Sequence, residues 1–310
     1  MKIILDCDPG HDDAVALMLL GSSPLFDVLG VTTVSGNQSI EKTTKNALDV
    51  LNYLGLPFKV YRGSARPLKK EPAFCAAIHG ESGLDGFVFP ECPRKAEPTD
   101  AVSFMIDAIG SLDEKVTLVT TGPMTNAARA LLRAPQIARN IEKIVLMGGS
   151  IGAGNVTPAA EFNIHCDPEA ADVCFRSGLP VYMVGLDVTR RALVTPEIIE
   201  STEKIGGRAA VLFSALMKTF LENQRKVFGL EGAPLHDPIT LAWLLEPSLL
   251  HFEYVHTEID TDGGISYGRT NCDLPGYLKK EKNSYAATGI NVDLFFDVVK
   301  KAVAHYRDQP

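Results

Sequence analysis

Several features that mark other protein classes are missing from this 310-residue chain, and each absence narrows what it does. There is no excess of positive charge: 30 lysines and arginines stand against 38 aspartates and glutamates, a net charge of −8, so nucleic acid is not an expected partner. No apolar run approaches the roughly 20 residues that a bilayer-spanning helix needs, so no membrane partner is expected. The first residues do not combine a basic start, a long apolar stretch and a small-residue cleavage site, and a cytoplasmic protein is the expectation. Six cysteines are present, Cys7, Cys75, Cys92, Cys166, Cys174 and Cys272, but none forms a CxxC pair. In a chain this long they read as free thiols that fill the core. Repeats, low-complexity tracts and linkers are also missing, so one domain spanning residues 1–310 is expected.

What is present is ordinary for a globular enzyme, 45% hydrophobic and 22% charged, with enough chain to bury a sizeable core. Apolar stretches rich in β-branched residues alternate with helical ones. Strands are expected at Lys2–Leu5, Val28–Ser35, Lys59–Arg62, Val116–Thr121, Ile144–Met147 and Val181–Leu186, and helices at Ala14–Leu20, Ile40–Leu54, Asp100–Ser111 and Met124–Leu132. Asp167 reads as an N-cap and Pro168 as the first helical residue after it. From Thr195 the pattern turns helical, at Pro196–Ile205, Gly207–Phe228, a helix opened by His236-Asp237-Pro238, and Val292–His305. Strands at Phe252–Ile259 and Tyr285–Ala287 interrupt it.

This alternation predicts an α/β fold: a mainly parallel, doubly wound, Rossmann-like sheet with helices on both faces and a helical C-terminal part. Ligands of such sheets collect beyond the carboxyl ends of the strands. That rule would gather Asp8, Asn37, Thr121, Met147 and the Glu161–Asn163 loop around one crevice. The long irregular segment from Gly63 to Thr99 is expected to be functional, because it contains Ile78-His79-Gly80-Glu81-Ser82-Gly83-Leu84.

The densest chemistry lies at the first strand end, where Asp6, Asp8, Asp12 and Asp13 place four carboxylates within eight residues. A helix start tolerates one or two of them through its dipole and free N–H groups. Four repel one another unless a cation joins them or some take up protons. An all-oxygen cluster suits a hard divalent ion, Ca²⁺ or Mg²⁺, better than zinc.

Taken in order, the motifs resemble those of the inosine–uridine-preferring nucleoside hydrolases, which cleave the N-glycosidic bond of ribonucleosides. Asp6 to Ala14 matches the DxDPGxDDA signature. Gly36-Asn37, Gly122-Pro123-Met124-Thr125-Asn126, Met147-Gly148-Gly149, Glu161-Phe162-Asn163 and His236-Asp237-Pro238 follow in the expected order. The resemblance implies a Ca²⁺ ion held by Asp8, Asp13, Asp237 and the backbone carbonyl of Thr121, with Asp8 also serving as general base toward water. It implies that Asp12, Asn37, Asn155, Glu161 and Asn163 bind the ribose, with Phe162 beside it and Met147 beneath. His236 would protonate the leaving base, with His79 as its base-binding neighbour, since histidine titrates near neutrality. Gln224 and Phe228, on the helix before His236, would also meet the base, although Phe228 stands where a hydroxyl is expected in pyrimidine-preferring relatives.

The implied activity is Ca²⁺-dependent hydrolysis of ribonucleosides, favouring pyrimidines or acting broadly, with a purine- or inosine-preferring enzyme as the alternative. A homodimer or homotetramer is implied too. A Mg²⁺-dependent phosphatase built on a DxD motif fits less well, because the Pro-Gly-x-Asp-Asp continuation is foreign to it. A non-catalytic nucleoside-binding protein would lack ligands that are all present here. His11 receives no role in this reading, Asp6 supports its neighbours, and Asn126 either satisfies backbone at a helix start or touches ligand.

Overall fold

Successive residues of the first strand are buried against different partners, and the layering of the molecule follows from that. In the computed structural model, which describes residues 1–308, β1 (Lys2–Cys7) directs Ile3, Leu5 and Cys7 to one face of a sheet and Ile4 to the other. β5 (Ile141–Met147) repeats the pattern, with Val145 on the first face and Ile144 and Leu146 on the second. Strands apolar on both sides need cover on both faces. The first face is covered by α1 (His11–Gly21), α2 (Ile40–Leu54), and four helices from the second half of the chain described below.

The remaining strands are β2 (Asp27–Thr33), β3 (Val60–Arg62), β4 (Val116–Thr120), β6 (Val181–Val184), the two-residue β7 (Leu193–Val194) and β8 (Ala233–Pro234), β9 (Leu250–Ile259), β10 (Thr270–Asp273) and β11 (Ser284–Ile290). The other helices are α3 (Ala76–His79), α4 (Ala101–Gly110), α5 (Thr125–Arg133), α6 (Phe162–Cys166), α7 (Pro168–Phe175), α8 (Leu186–Thr189), α9 (Pro196–Glu203), α10 (Gly207–Phe228), α11 (Pro238–Leu245) and α12 (Val292–His305). Helices α9 to α12 complete the first layer, and α4, α5 and α7 form the second. The expected doubly wound α/β fold with its helical C-terminal part is therefore what forms.

Nine strands make one sheet in the order β10-β9-β11-β6-β5-β4-β1-β2-β3. The chain winds outward from β1 through β2 to β3, then returns to the other side of β1 with β4. β1 and β4 are thus neighbours whose connections leave in opposite directions, and a crevice opens beyond their carboxyl ends. Asp8 follows β1 there and Thr121 follows β4.

Several local features differ from the sequence expectation. The sheet ends in an antiparallel ribbon, β9 pairing with both β10 and β11, and β10 had no expectation attached to it. The strand expected at Val181–Leu186 stops at Val184, because Gly185 turns the backbone into the one-turn helix α8. A second one-turn helix, α3, lies within the irregular Gly63–Thr99 segment. Asp167 caps α7 as expected, accepting from the Ala170 N–H at 3.1 Å. All six cysteines are free, and among the described residues no helix is long and apolar enough to cross a membrane.

Candidate active site

The turn Asp8-Pro9-Gly10 carries the chain from β1 into α1, and hydrogen bonding holds its acids in place. Asp13 Oδ2 accepts from the Gly10 N–H at 3.0 Å, and Asp13 Oδ1 accepts from the Thr121 hydroxyl at 2.8 Å. Asp8 Oδ2 accepts from the Asn37 N–H at 2.6 Å. A Cβ at Gly36 would lie 2.1 Å from Asp8 Oδ2, and one at Gly122 would lie 2.6 Å from Asp8 Oδ1. The carboxylate therefore fits between the turns after β2 and β4 only because both positions are glycine.

Asp6 points elsewhere, to Thr32 Oγ1 at 2.7 Å and Asn126 Nδ2 at 2.8 Å. Asn126 also donates to the Thr33 carbonyl and accepts from the Ser64 N–H. Asn126 therefore satisfies backbone as one of its two readings had it, though not at the start of its own helix: it ties β1, β2 and the segment after β3 together.

Oxygens of Asp12, Asp13 and Asp237 lie within 4.8 Å of one another, all three side chains are buried, and a metal ion could be held there. The triad shares Asp13 and Asp237 with the ligand set that the resemblance implies and adds Asp12, while the Asn37 N–H and the glycines at 36 and 122 hold the Asp8 carboxylate. Asp8 Oδ1 and Asp12 Oδ1 are nevertheless buried with no hydrogen-bond partner. Unpartnered carboxylate oxygens beside other carboxylates are what a hard cation would satisfy. Burial and then mutual repulsion drive the Asp8 and Asp237 carboxyls well above the usual range, and push Asp12 to about 7. Asp6 rises to about 6 through burial alone, its hydrogen bonds opposing the shift.

Above this floor opens a cavity of about 500 Å³. Asp12, Asn37, Thr121, Met147, Asn155, Glu161, Phe162, Asn163 and Asp237 are among the residues that line it, and so are His79, Gln224, Phe228 and His236. Chain positions as far apart as residues 12 and 237 thus meet as expected, although Asp8 and Asp13 lie beneath the surface that the cavity exposes.

The sugar-side residues are already engaged with backbone. Glu161 caps α6, taking the Asn163 N–H on Oε1 and the Gly149 and Ile164 N–H groups on Oε2. Asn163 Nδ2 donates to the Thr121 carbonyl at 2.8 Å and the Met147 carbonyl at 3.1 Å, which leaves its Oδ1 to the cavity. Asn155 Oδ1 accepts from the Phe162 N–H at 2.8 Å. Asn37 directs its side-chain amide to the Asp8 carbonyl and, at 3.4 Å, to Asp13 Oδ2. These four hold the carboxylates and strand ends in register as well as facing the cavity.

Against the Gly10 turn packs a ring cluster. Phe220, Gln224 and Phe228 recur every four residues along α10 and so share one face. Phe220 stacks on both His11 and His79, and those two imidazoles stack on each other, with centroids 5.2–5.4 Å apart. His11 has a role after all: fully buried, it donates from Nε2 to the Asp85 carbonyl at 2.8 Å, and its backbone N–H donates to His79 Nδ1 at 3.2 Å. Asn223 fastens α10 to α3 through the Ile78 carbonyl. His236 Nδ1 meets the Thr189 hydroxyl at 2.7 Å.

The expectation that these histidines titrate near neutrality does not hold. Burial, then Arg190, lowers His236 to about 4, and burial, then His11 and His236, lowers His79 further below its ordinary value. Both are neutral imidazoles at pH 7. Thr189, Arg190, His11 and Phe220 were missed from the sequence. Phe220 alone carried a signal, the four-residue step to Gln224.

Comparison with known proteins gives a consistent result. A sequence profile described as inosine-uridine preferring nucleoside hydrolase matches residues 3–297. The pyrimidine-specific ribonucleoside hydrolase RihB of Escherichia coli is 44% identical over 305 residues, covering 98% of this chain and 97% of that one. A solved structure of a purine-preferring ribonucleoside hydrolase from Gardnerella vaginalis gives a TM-score of 0.93 at 35% identity, with 100% of both chains covered. A plant nucleoside hydrolase gives 0.91 at 29% identity, with 98% of each chain covered.

Proposed function

The chain belongs to the inosine-uridine preferring nucleoside hydrolase family, and from that premise we propose that it hydrolyses uridine and cytidine to ribose and the free base. It is an N-glycosidase acting on ribonucleosides. The observation that carries the finer reading is one cavity that brings buried carboxylates together with two imidazoles, an amide and stacked rings. Breaking the glycosidic bond builds positive charge on the sugar, which the carboxylates favour, and electron density on the base, which the imidazoles and the amide meet with N–H groups.

The donor set fits Ca²⁺, which accepts roughly 6–8 oxygens. It would be drawn from Asp8, Asp12, Asp13 and Asp237 with the Thr121 carbonyl, whose second lone pair remains open beside its bond from Asn163. When bound, such an ion supplies charge that orients a ribose diol and makes an adjacent water more acidic. Asp8 Oδ1, buried without a hydrogen-bond partner from the protein, takes the proton of the attacking water as general base. Asn163 Oδ1, Asn155, Glu161 and Asn37 hold the ribose hydroxyls, with Met147 beneath the ring and Phe162 beside it.

At the base, neutral His79 and His236 act as hydrogen-bond donors that draw density from the leaving ring, with Gln224 and Phe228 lining the same cavity. His236, neutral at pH 7, steadies the departing base by hydrogen bonding from its N–H and keeps its own proton. The pyrimidine preference rests on the 44% identity to a pyrimidine-specific relative across the chain. The purine-preferring relative of known structure, together with a phenyl ring at position 228, keeps inosine as the second reading. Assembly as a homodimer or homotetramer and a cytoplasmic location complete the proposal.

The deciding experiment measures free base and ribose from uridine, cytidine and inosine, with and without a calcium chelator. Release from uridine and cytidine that stops with chelator supports the proposal; release from inosine alone overturns the base preference, and indifference to chelator overturns the ion.

A further inference from the structure

His236 has one side-chain hydrogen bond, Nδ1 to the Thr189 hydroxyl at 2.7 Å, and its ring borders the cavity. An imidazole rotates about two bonds, so the partner of one nitrogen decides where the other points. Thr189 is fully buried, and His236 is the only partner of its hydroxyl among the described residues. The hydroxyl both donates and accepts, so the contact persists whichever ring nitrogen carries hydrogen.

The helix that carries Thr189 is itself held still. Asp187, two residues earlier in α8, accepts from the Ile151 N–H at 2.7 Å and the Gly152 N–H at 3.0 Å. Arg190, the residue after Thr189, donates to the Ala153 and Gly154 carbonyls. The loop so clasped leads directly to Asn155 on the sugar side of the cavity. This helical turn and the Arg190 that follows it therefore grip the loop of residues 151–154 through Asp187 and Arg190, and the His236 imidazole through Thr189 between them.

We propose that Thr189 is a positioning residue for the hydrolysis: its hydroxyl fixes the His236 ring with Nε2 toward the leaving base, from a platform that α8 clamps to the Asn155 loop. The proposal rests on the reading of His236 as the leaving-base donor. Displacing a reacting group by about 1 Å can cost about 10²-fold in rate, so the expected effect is on turnover and not on binding.

The test uses the full-length protein, with kcat and KM measured on uridine and on p-nitrophenyl riboside, whose leaving group departs without protonation. Thr189→Val keeps the shape and removes the hydroxyl. It should lower kcat on uridine by roughly 10–100-fold, leave KM within about twofold, and spare p-nitrophenyl riboside, while Thr189→Ser recovers most of the loss. In a His236→Ala background the same change should cost nothing further, because the two residues act as one unit. Equal losses on both substrates, no loss on either, or a full additional loss in the His236→Ala background would overturn the proposal. Should Thr189→Val not fold, Thr189→Ala is read by the same criteria. If His236→Ala itself leaves uridine turnover intact, the reading of His236 fails; if it slows uridine and Thr189→Val does not, only the role of Thr189 fails.

Discussion

The backbone N–H of His11 and its ring Nδ1 both lie 3.2 Å from Nδ1 of His79. His11 Nε2 gives its hydrogen to the Asp85 carbonyl, which leaves a lone pair on neutral His11 Nδ1, so the backbone N–H and that lone pair ask His79 for opposite tautomers. His236 differs, because its partner is a hydroxyl that serves in either sense. The two imidazoles are therefore unequal: His79 Nδ1 meets two groups that favour opposite tautomers, whereas the Thr189 hydroxyl suits either form of His236.

His79→Phe separates binding from turnover. Phenylalanine retains a ring to stack on His11 and Phe220 while removing the donor. The loss of one hydrogen bond to a neutral group, about 1 kcal/mol, should raise KM for uridine roughly fivefold. Steady-state kinetics on uridine checks this, and an unchanged KM would remove His79 from the base contacts.

Asp8→Asn should reduce turnover by roughly 10²–10⁴-fold, the usual worth of a general base. The asparagine oxygen can still accept the Asn37 N–H, so the fold should survive. Because Asp13 and the other nearby carboxylates repel Asp8, removing its charge should raise the melting temperature of chelator-treated protein. Calorimetry and product release are measured on the same sample. Near-normal activity would dismiss Asp8 as the base, and a lower melting temperature would contradict the crowding of charge.

The positions of Asp8, Thr121, Met147 and Asp237 were legible because each follows an apolar segment that stops at a turn or opens a helix, and the parallel sheet brings such ends together. What each side chain touches was not legible. The resemblance implied Glu161 and Asn37 as sugar ligands, yet much of their bonding is to backbone groups, which carry no sequence signature. That Asp12 joins Asp13 and Asp237 in one carboxylate group, and that glycines at 36 and 122, far from it in the chain, decide where the Asp8 carboxylate lies, was not legible either. Thr189 was hidden in a helix of one turn, too short for any periodicity to appear.

A substrate lacking the 2′-hydroxyl should be turned over poorly. A site built to hydrogen-bond a hydroxyl leaves polar groups unpaired when that hydroxyl is missing, which can cost 10⁴-fold or more in other enzymes. Here a loss of about 10²-fold or more in kcat/KM for 2′-deoxyuridine relative to uridine is expected. Comparable rates would place the diol away from the carboxylate floor.

The buried acids also set how stability depends on pH when no divalent ion is bound. Unfolded aspartates titrate near 3.9, roughly, whereas in the folded protein Asp6 is raised to about 6 and Asp12 to about 7. Between about pH 4 and pH 7 the folded chain therefore binds more protons than the unfolded one, and stability falls as pH rises. The contribution is complete below the unfolded value and is lost as pH passes the folded values. His11 and His236, lowered to about 4, act in the opposite sense: their contribution is present above the unfolded histidine value and is lost as pH falls toward 4. The acid term is the larger because Asp8 and Asp237 are displaced upward as well. Chelator-treated protein should thus melt at lower temperature at about pH 8 than at about pH 5, and Asp12→Asn should flatten that slope. Saturating Ca²⁺, which binds the ionised carboxylates of the folded state, should reverse it. A melting temperature that rises with pH in the presence of chelator would mean that the carboxylates are already neutralised by something other than protons.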